Sequence, residues 1–412
     1  MAAIAILGYG TVGSGVYEVL NTNGESINKK ASKPITIKHV LDLRDFPGDP
    51  VESVLTHDFE DIISDDEVEV VVEVMGGIEP AYTFVKRSIL KGKSVCTSNK
   101  ALVAKHGAEL LRLAKENNVN FLFEASVGGG IPIIRPIIRS ITSDKIEEIT
   151  GILNGTTNYM LTKMGDEGLE YDDVLKDAQA KGYAERNPEA DVEGHDTCRK
   201  IAILASLATE KQVNFEDIYT EGITNISKTD IDYAKAMGKS IKLVATASFT
   251  DKGVWARVCP LIIEPDNPLS GVHDVFNAIK LTGNMLGEVM FYGKGAGKLP
   301  TAAAVVSDIV EAVRHKNINI GVHWSEEVQP LLNVDDVVVK KLVRVAYNDK
   351  NAALAAVKSV FGEVETVDGV ADDEFAFITA PAAEKSVNEN VNRLLNLDGI
   401  TDVLASIRVE QR

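Results

Sequence analysis

The stretch "IAILGYGTVGSGVYEVL" constrains this chain more than any other part of it. A short apolar run ends at Leu7, and Gly8, Gly10 and Gly13 follow at once in G-x-G-x-x-G spacing. Next comes a helical pattern with Val12, Val16, Val19 and Leu20 on one side. The three glycines serve different ends. Gly8 makes the tight turn, Gly10 lets backbone approach a pyrophosphate, and Gly13 allows helix and strand to pack closely. The helix start, at Thr11 and Val12, then offers unpaired N–H groups and the positive end of a dipole to phosphate. Alone such a fingerprint is weak, and its context decides.

The context is an alternation of strands and helices. "PITIKHVLDL" reads as a second strand ending near Asp42, and "VEVVVEVMGG" as a third ending at Gly76-Gly77. "KSVCTSNKALVA" is a fourth that runs into a helix, and "NVNFLFEASV" is a fifth. Helical patterns such as "AYTFVKRSILKG" and "HGAELLRLAKENN" separate them. Near-continuous β-branched strands alternating with helices predict an α/β fold, a Rossmann-type doubly wound parallel sheet. A glycine-rich turn in an unrelated α/β domain is the competing reading, and the alternation weighs against it.

In such a sheet an acid at the end of the second strand holds the ribose of NAD, whereas an arginine accommodates the 2′-phosphate of NADP. The segment "DLRDFPG" offers both Asp42 and Arg44, so the choice between NAD and NADP stays open. Ligands sit beyond the carboxyl ends of the strands. That rule places Gly76, Thr97, Lys100 and Glu124 around one crevice, although a lysine after a strand is also an ordinary surface charge.

A length of 412 residues predicts two or three domains. The formal charge of −18 argues against a nucleic-acid partner, because phosphate backbones need a basic footprint. Cys96, Cys198 and Cys259 show no metal-type spacing, which argues for a reducing compartment and against zinc. No apolar stretch is long enough for a membrane span, and "MAAIAILGYG" lacks the basic start of a signal peptide. A cytoplasmic location is expected.

Beyond residue 124 the pattern changes. Gly128, Gly129 and Gly130 with Pro132 imply backbone that turns sharply or approaches something closely. "GILNGTTNYM" reads as a strand entering a small polar turn. The stretch from Gly182 to Lys200 holds five acids and three bases ahead of the apolar "IAILASLA". Asn187-Pro188 breaks the chain there, and a helix starts near Glu193. On it Asp196 and Lys200 are four residues apart and share a face. Spacing alone makes them a solvated salt bridge, facing out while Ile201, Leu204, Ala205 and Ala208 face in.

The same stretch, however, resembles the signature of the homoserine dehydrogenase family. Ala178, Gly182, Tyr183, Ala184, Asn187, Pro188, Asp191, Val192, Gly194, Asp196 and Lys200 all fall on its fixed positions. The hallmarks "GYGTVGSG", "VMGG", "TSNKALVA", "EASVGGGIP", "LNGTTNYM" and "FYGKGAGKLPTAAAVVSDIV" occur in the family's order. The resemblance implies NAD(P)-dependent, reversible reduction of aspartate 4-semialdehyde to homoserine, in threonine, methionine and isoleucine biosynthesis. It implies that Lys200 exchanges the proton with the reacting oxygen and that Lys100 is its companion beside the nicotinamide. Glu185, Asp191 and Asp196 resemble the carboxylates that hold the substrate ammonium and order the lysine. Glu185, Gly182, Gly295 and Gly297 resemble positions that touch the cofactor. Glu124, with the carbonyls of Val127, Gly129 and Ile131, resembles a monovalent-cation site, for sodium, made of carbonyl oxygens and one carboxylate. A homodimer is implied as well.

The elementary chemistry agrees with these roles. Hydride addition to a carbonyl builds negative charge on oxygen, which requires a positioned cation and a proton source. A hard cation bound by carbonyl oxygens suits a glycine-rich turn. Two other readings compete: a relative acting on a different small semialdehyde or amino alcohol, and a catalytically silent NAD(P)-sensing protein. Retention of both lysines speaks against the second.

The expected organisation is a dinucleotide-binding domain of residues 1–130 completed by 296–318, a catalytic and dimerisation domain of 131–295, a connector of 319–339, and an α+β domain of 340–412. The last reads as strand, helix, strand, helix, strand and resembles an ACT domain. Asn351-Ala352 stands where that family has Pro-Gly, so effector binding and a purely structural role both stay open.

Overall fold

The computed structural model describes residues 1–411, which form two compact units. One comprises Met1–Ile149, Arg199–Asp217 and Asn277–Pro330; the other comprises Thr150–Cys198, Ile218–Phe276 and the chain from Leu331 onward.

The first unit is built on a sheet of β1 (Ala2–Leu7), β2 (Ile35–Leu41), β3 (Leu55–Thr56), β4 (Val68–Glu73), β5 (Ser94–Thr97) and β6 (Phe121–Leu122). All neighbours are parallel, in the order β3-β2-β1-β4-β5-β6. This is the Rossmann order, with its reversal between β1 and β4, where a ligand crevice opens. Strands β1 and β4 are buried almost throughout, which is why they read as unbroken apolar runs. Strand β3 is invisible to sequence reasoning because two residues carry no periodicity.

Gly10 caps the helix Thr11–Thr22 without any side-chain hydrogen bond, so its first N–H groups are not taken by a cap. Helix Lys298–Arg314 lies against it. A Cβ at Gly15 would come 2.8 Å from the Lys298 carbonyl oxygen and 3.0 Å from the Ala302 Cβ. Val16 and Leu20 share a core with Ala302, Val305 and Ile309. Full burial of such side chains contributes about 1.5–3 kcal/mol each, which holds the returning helix to the nucleotide fold.

In the second unit, strands Ser240–Thr250 and Gly253–Ile263 form an unbroken antiparallel ladder. Strand Ile400–Val409 joins the latter in parallel at Leu261–Arg408 and Ile262–Val409. Strand Val338–Tyr347 runs antiparallel to both Ile400–Val409 and Glu374–Ile378. Helices Lys350–Phe361 and Glu384–Leu394 bury Val357 and Leu394 against Val343, Phe375 and Phe377 of these strands. Between these helices the chain forms three strands, Glu365–Val367, Glu374–Ile378 and Ala382–Ala383, where one was expected, because two of them are only two or three residues long. Helix Lys350–Phe361 begins without Pro-Gly because the Asp349 carboxylate accepts from the N–H groups of Asn351 and Ala352, at 2.9 and 3.1 Å.

Two local expectations are corrected. The "GTTNYM" turn is a helix, Gly155–Glu167, capped by the Asn154 side chain accepting from Thr157 N–H at 2.9 Å. Asn and Thr favour caps as much as turns, so composition alone did not separate the two. Asp196 and Lys200 do not form a solvated pair either. On helix His195–Thr209 they are only 2% and 7% exposed, and every residue from Ile201 to Leu207 is buried as well. That helix is covered nearly all round, so i,i+4 spacing could not mark an outer face.

Candidate active site

At the nucleotide end, Gly8 holds a φ of +99°, and its N–H donates to the Leu41 carbonyl at 2.8 Å. A Cβ at Gly13 would come 1.9 Å from the Gly8 carbonyl oxygen, so position 13 admits only glycine. Asp42 and Arg44, alternatives in the sequence, are joined. One Asp42 carboxylate oxygen accepts from Tyr9 N–H at 2.8 Å, and the other accepts from Arg44 N–H at 3.0 Å and Arg44 Nε at 2.9 Å. The Arg44 guanidinium holds the Asp42 carboxyl well below the usual carboxylate range. The end of β2 is thereby tied to the glycine turn, with Arg44 on the exposed side.

A buried network that sequence reasoning missed fixes the next two loops. Glu73, fully buried at the end of β4, accepts from the N–H groups of Met75 and Gly76, at 2.9 and 3.4 Å, and from the Thr97 hydroxyl at 2.6 Å. Burial pushes the Glu73 carboxyl up, against these hydrogen bonds. Asn99 donates its backbone N–H to the Thr97 hydroxyl and its side-chain amide to the Gly77 carbonyl. It also caps helix Lys100–Glu116 by accepting from Leu102 N–H. Lys100 is therefore the first residue of a helix whose start is locked to the ends of β4 and β5. The available signal was an acid, Glu73, ending the apolar run of "VEVVVE".

The triple glycine meets the "GKGAG" segment. Gly130 N–H donates to the Lys294 carbonyl at 3.1 Å, and a Cβ on Gly130 would come 2.8 Å from the Pro300 side chain. Gly297 has a φ of +118° and precedes helix Lys298–Arg314. Glu124, the carboxylate of the expected cation site, is held by the backbone of the loop beside it. Its carboxylate accepts from the N–H groups of Ile133, Ile134 and Arg135, at 2.6, 2.8 and 2.9 Å, and its own N–H donates to Asp308. The carboxylate, with about four lone-pair sites, thus braces the loop through three backbone donors. Among the described residues no group of three or more His, Cys, Asp or Glu side chains could hold a metal ion.

In the second unit Asn154 joins two of the predicted acids. Its amide donates to Asp191 at 2.8 Å and to Asp196 at 3.0 Å while its carbonyl oxygen caps helix Gly155–Glu167. Thr156 Oγ1 donates to the Tyr183 carbonyl at 2.7 Å, fastening the loop that carries Gly182 and Glu185. Gly182 has a φ of +73°, and both it and Glu185 are exposed. Gly222 packs beneath the following turn: a Cβ there would come 2.1 Å from the Val192 carbonyl. The acid-rich stretch is thus braced from several sides. An Asn preceding a helical Thr-Thr pair was the sequence signal for the clamp.

Two family descriptions match the chain: "Homoserine dehydrogenase, NAD binding domain" over residues 8–124 and "Homoserine dehydrogenase" over residues 132–310. The homoserine dehydrogenase of Bacillus subtilis is 37% identical over 428 residues, spanning 99% of this chain and 98% of its own. A solved homoserine dehydrogenase from Thiobacillus denitrificans superposes with a TM-score of 0.91 at 34% identity, over 99% and 98% of the two chains. A hyperthermophilic archaeal homoserine dehydrogenase mutant in complex with NADPH aligns with a TM-score of 0.63 at 28% identity, over 76% of this chain and 97% of its own.

Proposed function

The chain belongs to the homoserine dehydrogenase family of oxidoreductases, and from that premise we propose that it interconverts aspartate 4-semialdehyde and L-homoserine with a nicotinamide cofactor. The observation that carries this reading is the burial of Lys200 one helical turn after Asp196, itself clamped with Asp191 by Asn154. Burying charged side chains costs several kcal/mol apiece, so a helix that merely needed solubility would not keep them inside.

The roles follow from the chemistry. Lys200 donates a proton to the carbonyl oxygen as it gains negative charge, and takes it back from the homoserine hydroxyl in reverse. Lys100 lends its positive charge to the same oxygen. Asp196 orients Lys200, and Asp191 and Glu185 accept from the substrate ammonium. When bound, the nicotinamide gives or receives the hydride. Gly8, Gly10, Thr11, Val12, Gly13, Gly76 and Thr97 shape the nucleotide end, and Gly182, Gly295 and Gly297 supply backbone near it. Glu124 and the carbonyls of Val127, Gly129 and Ile131 would hold a sodium-type cation, which would stiffen the glycine loop.

Asp42 serves the adenosine ribose and Arg44 a 2′-phosphate, so the pair accommodates either NAD(H) or NADP(H). Exposed Met285, Leu286, Met290 and Tyr292 on and beside strand Gly287–Lys294 support a homodimer. The region from residue 340 onward is assigned an ACT-like role in assembly.

The test is absorbance of reduced nicotinamide with homoserine, run with NAD and NADP on the full chain and on Arg44→Ala. Turnover with both cofactors, with NADP selectively weakened by about tenfold in the variant, is expected. Absence of turnover with either cofactor would favour the NAD(P)-sensing alternative.

A further inference from the structure

The second unit contains an open cavity of about 350 Å³ walled by Tyr219, Glu221, Lys341, Asn388, Ser406 and Arg408, with Asn392 beside them. Charged side chains there are unusually buried: Arg408 is 3% exposed, Lys341 4% and Glu384 2%. Glu384 pairs with Lys341 at 3.0 Å, with Arg408 at 2.5 Å and with Arg257 at 3.6 Å, while Glu221 pairs with Arg408 at 2.5 Å. Three cations thus share two carboxylates, and the cluster is one negative charge short. An uncompensated buried charge is costly, and an anion from outside would relieve it.

Hydrogen bonding shows the same imbalance. Arg257 Nη1 and Glu384 Oε2 lack hydrogen bonds but face each other at 3.6 Å, which leaves Arg408 Nε and Ser406 Oγ as buried donors with no hydrogen-bond partner. Such atoms are rare in folded proteins and call for a specific explanation. Arg408 is also fixed in plane, its guanidinium 4.8 Å over the Tyr219 ring, and Lys341 Nζ is held by Asn388 at 2.8 Å. Burial and the neighbouring Arg408 charge push the Lys341 amine below its ordinary value, as an excess of positive charge requires.

We propose that this cavity binds a small monocarboxylate, whose two oxygens meet Arg408, Lys341 and the Ser406 hydroxyl while its body lies along Asn388 and Asn392. A single missing charge selects a monoanion over a phosphate or a dicarboxylate. A planar carboxylate also matches the geometry of a guanidinium. None of these residues belongs to the hydride-transfer machinery, so homoserine turnover serves as an independent control.

The test is calorimetric titration of the full chain with sodium acetate, against acetamide and sodium chloride at matched ionic strength. Saturable acetate binding is expected, with none for acetamide or chloride. Ser406→Val should weaken acetate at least tenfold while leaving turnover without acetate unchanged. Glu221→Gln removes one of the two acids and should tighten acetate about tenfold, a gain that misfolding cannot imitate. No saturable heat in the wild type, or acetate affinity indifferent to Glu221→Gln, overturns the proposal.

Discussion

The Gly129 backbone lies so close to Gly295 that a Cβ at position 129 would stand 2.2 Å from the Gly295 carbonyl oxygen. Two glycine segments far apart in the chain are thereby locked face to face. Gly129 also has a φ of +57°, so a side chain there is strained twice. Gly129→Ala should cost roughly 3 kcal/mol or more in urea unfolding, because neither backbone can yield cheaply. Gly271, with nothing within 4 Å of a built Cβ, is the control. Its alanine variant should stay within about 0.5 kcal/mol of wild type. Equal midpoints for the two variants would remove the packing argument.

Lys200→Ala should retain NAD(P)H binding, measured by cofactor fluorescence, and lose turnover by roughly 10²–10⁴-fold, the usual worth of a positioned proton donor. Wild-type rates would take Lys200 out of the mechanism and leave its burial unexplained.

Asn154 both caps a helix and clamps two acids, and substitution can separate the two. Serine caps a helix about as well as asparagine, so any stability that Asn154→Ser loses should come from the clamp and not from the cap. It lacks the amide that spans Asp191 and Asp196, and hydrogen bonds to charged groups contribute about 1.5–3 kcal/mol. The ratio kcat/KM for homoserine should therefore fall roughly tenfold or more. Asn154→Ala should lose the cap as well, about 1 kcal/mol of stability. A serine variant with normal kinetics would make the clamp purely structural.

Lys242 gives a pH dependence. Its amine is 3% exposed and donates to the Val272 carbonyl at 2.6 Å, and burial pushes it down from 10.5 to about 8. The folded chain therefore gives up this proton before the unfolded chain does. Between these two values the unfolded state binds more protons, so this group's contribution to stability rises with pH across that window. Below about pH 8 both states carry the charge and the burial cost is constant. Lys242→Met should lack this slope, so the wild type should gain on the variant between about pH 8 and pH 10.5 in urea unfolding. Parallel stability curves would show that Lys242 is not titrating there.

By itself the sequence determined the nucleotide fold and the candidate residues, because those signals are local. Gly8 and Gly13 follow from backbone sterics within a few residues, and the apolar runs of β1 and β4 follow from burial on both faces. Tertiary structure decided what the charges do. Asn154 reaches Asp196 across 42 residues, and the Glu124 carboxylate gathers the backbone N–H groups of residues 133–135. Arg408 meets Glu221 across 187 residues to leave a donor-rich cavity. Whether Lys200 faced water or protein could not be read from i,i+4 spacing, which marks a shared face but not what covers it. Periodicity encodes a residue's neighbours along its own element; burial depends on elements that chain topology alone brings near.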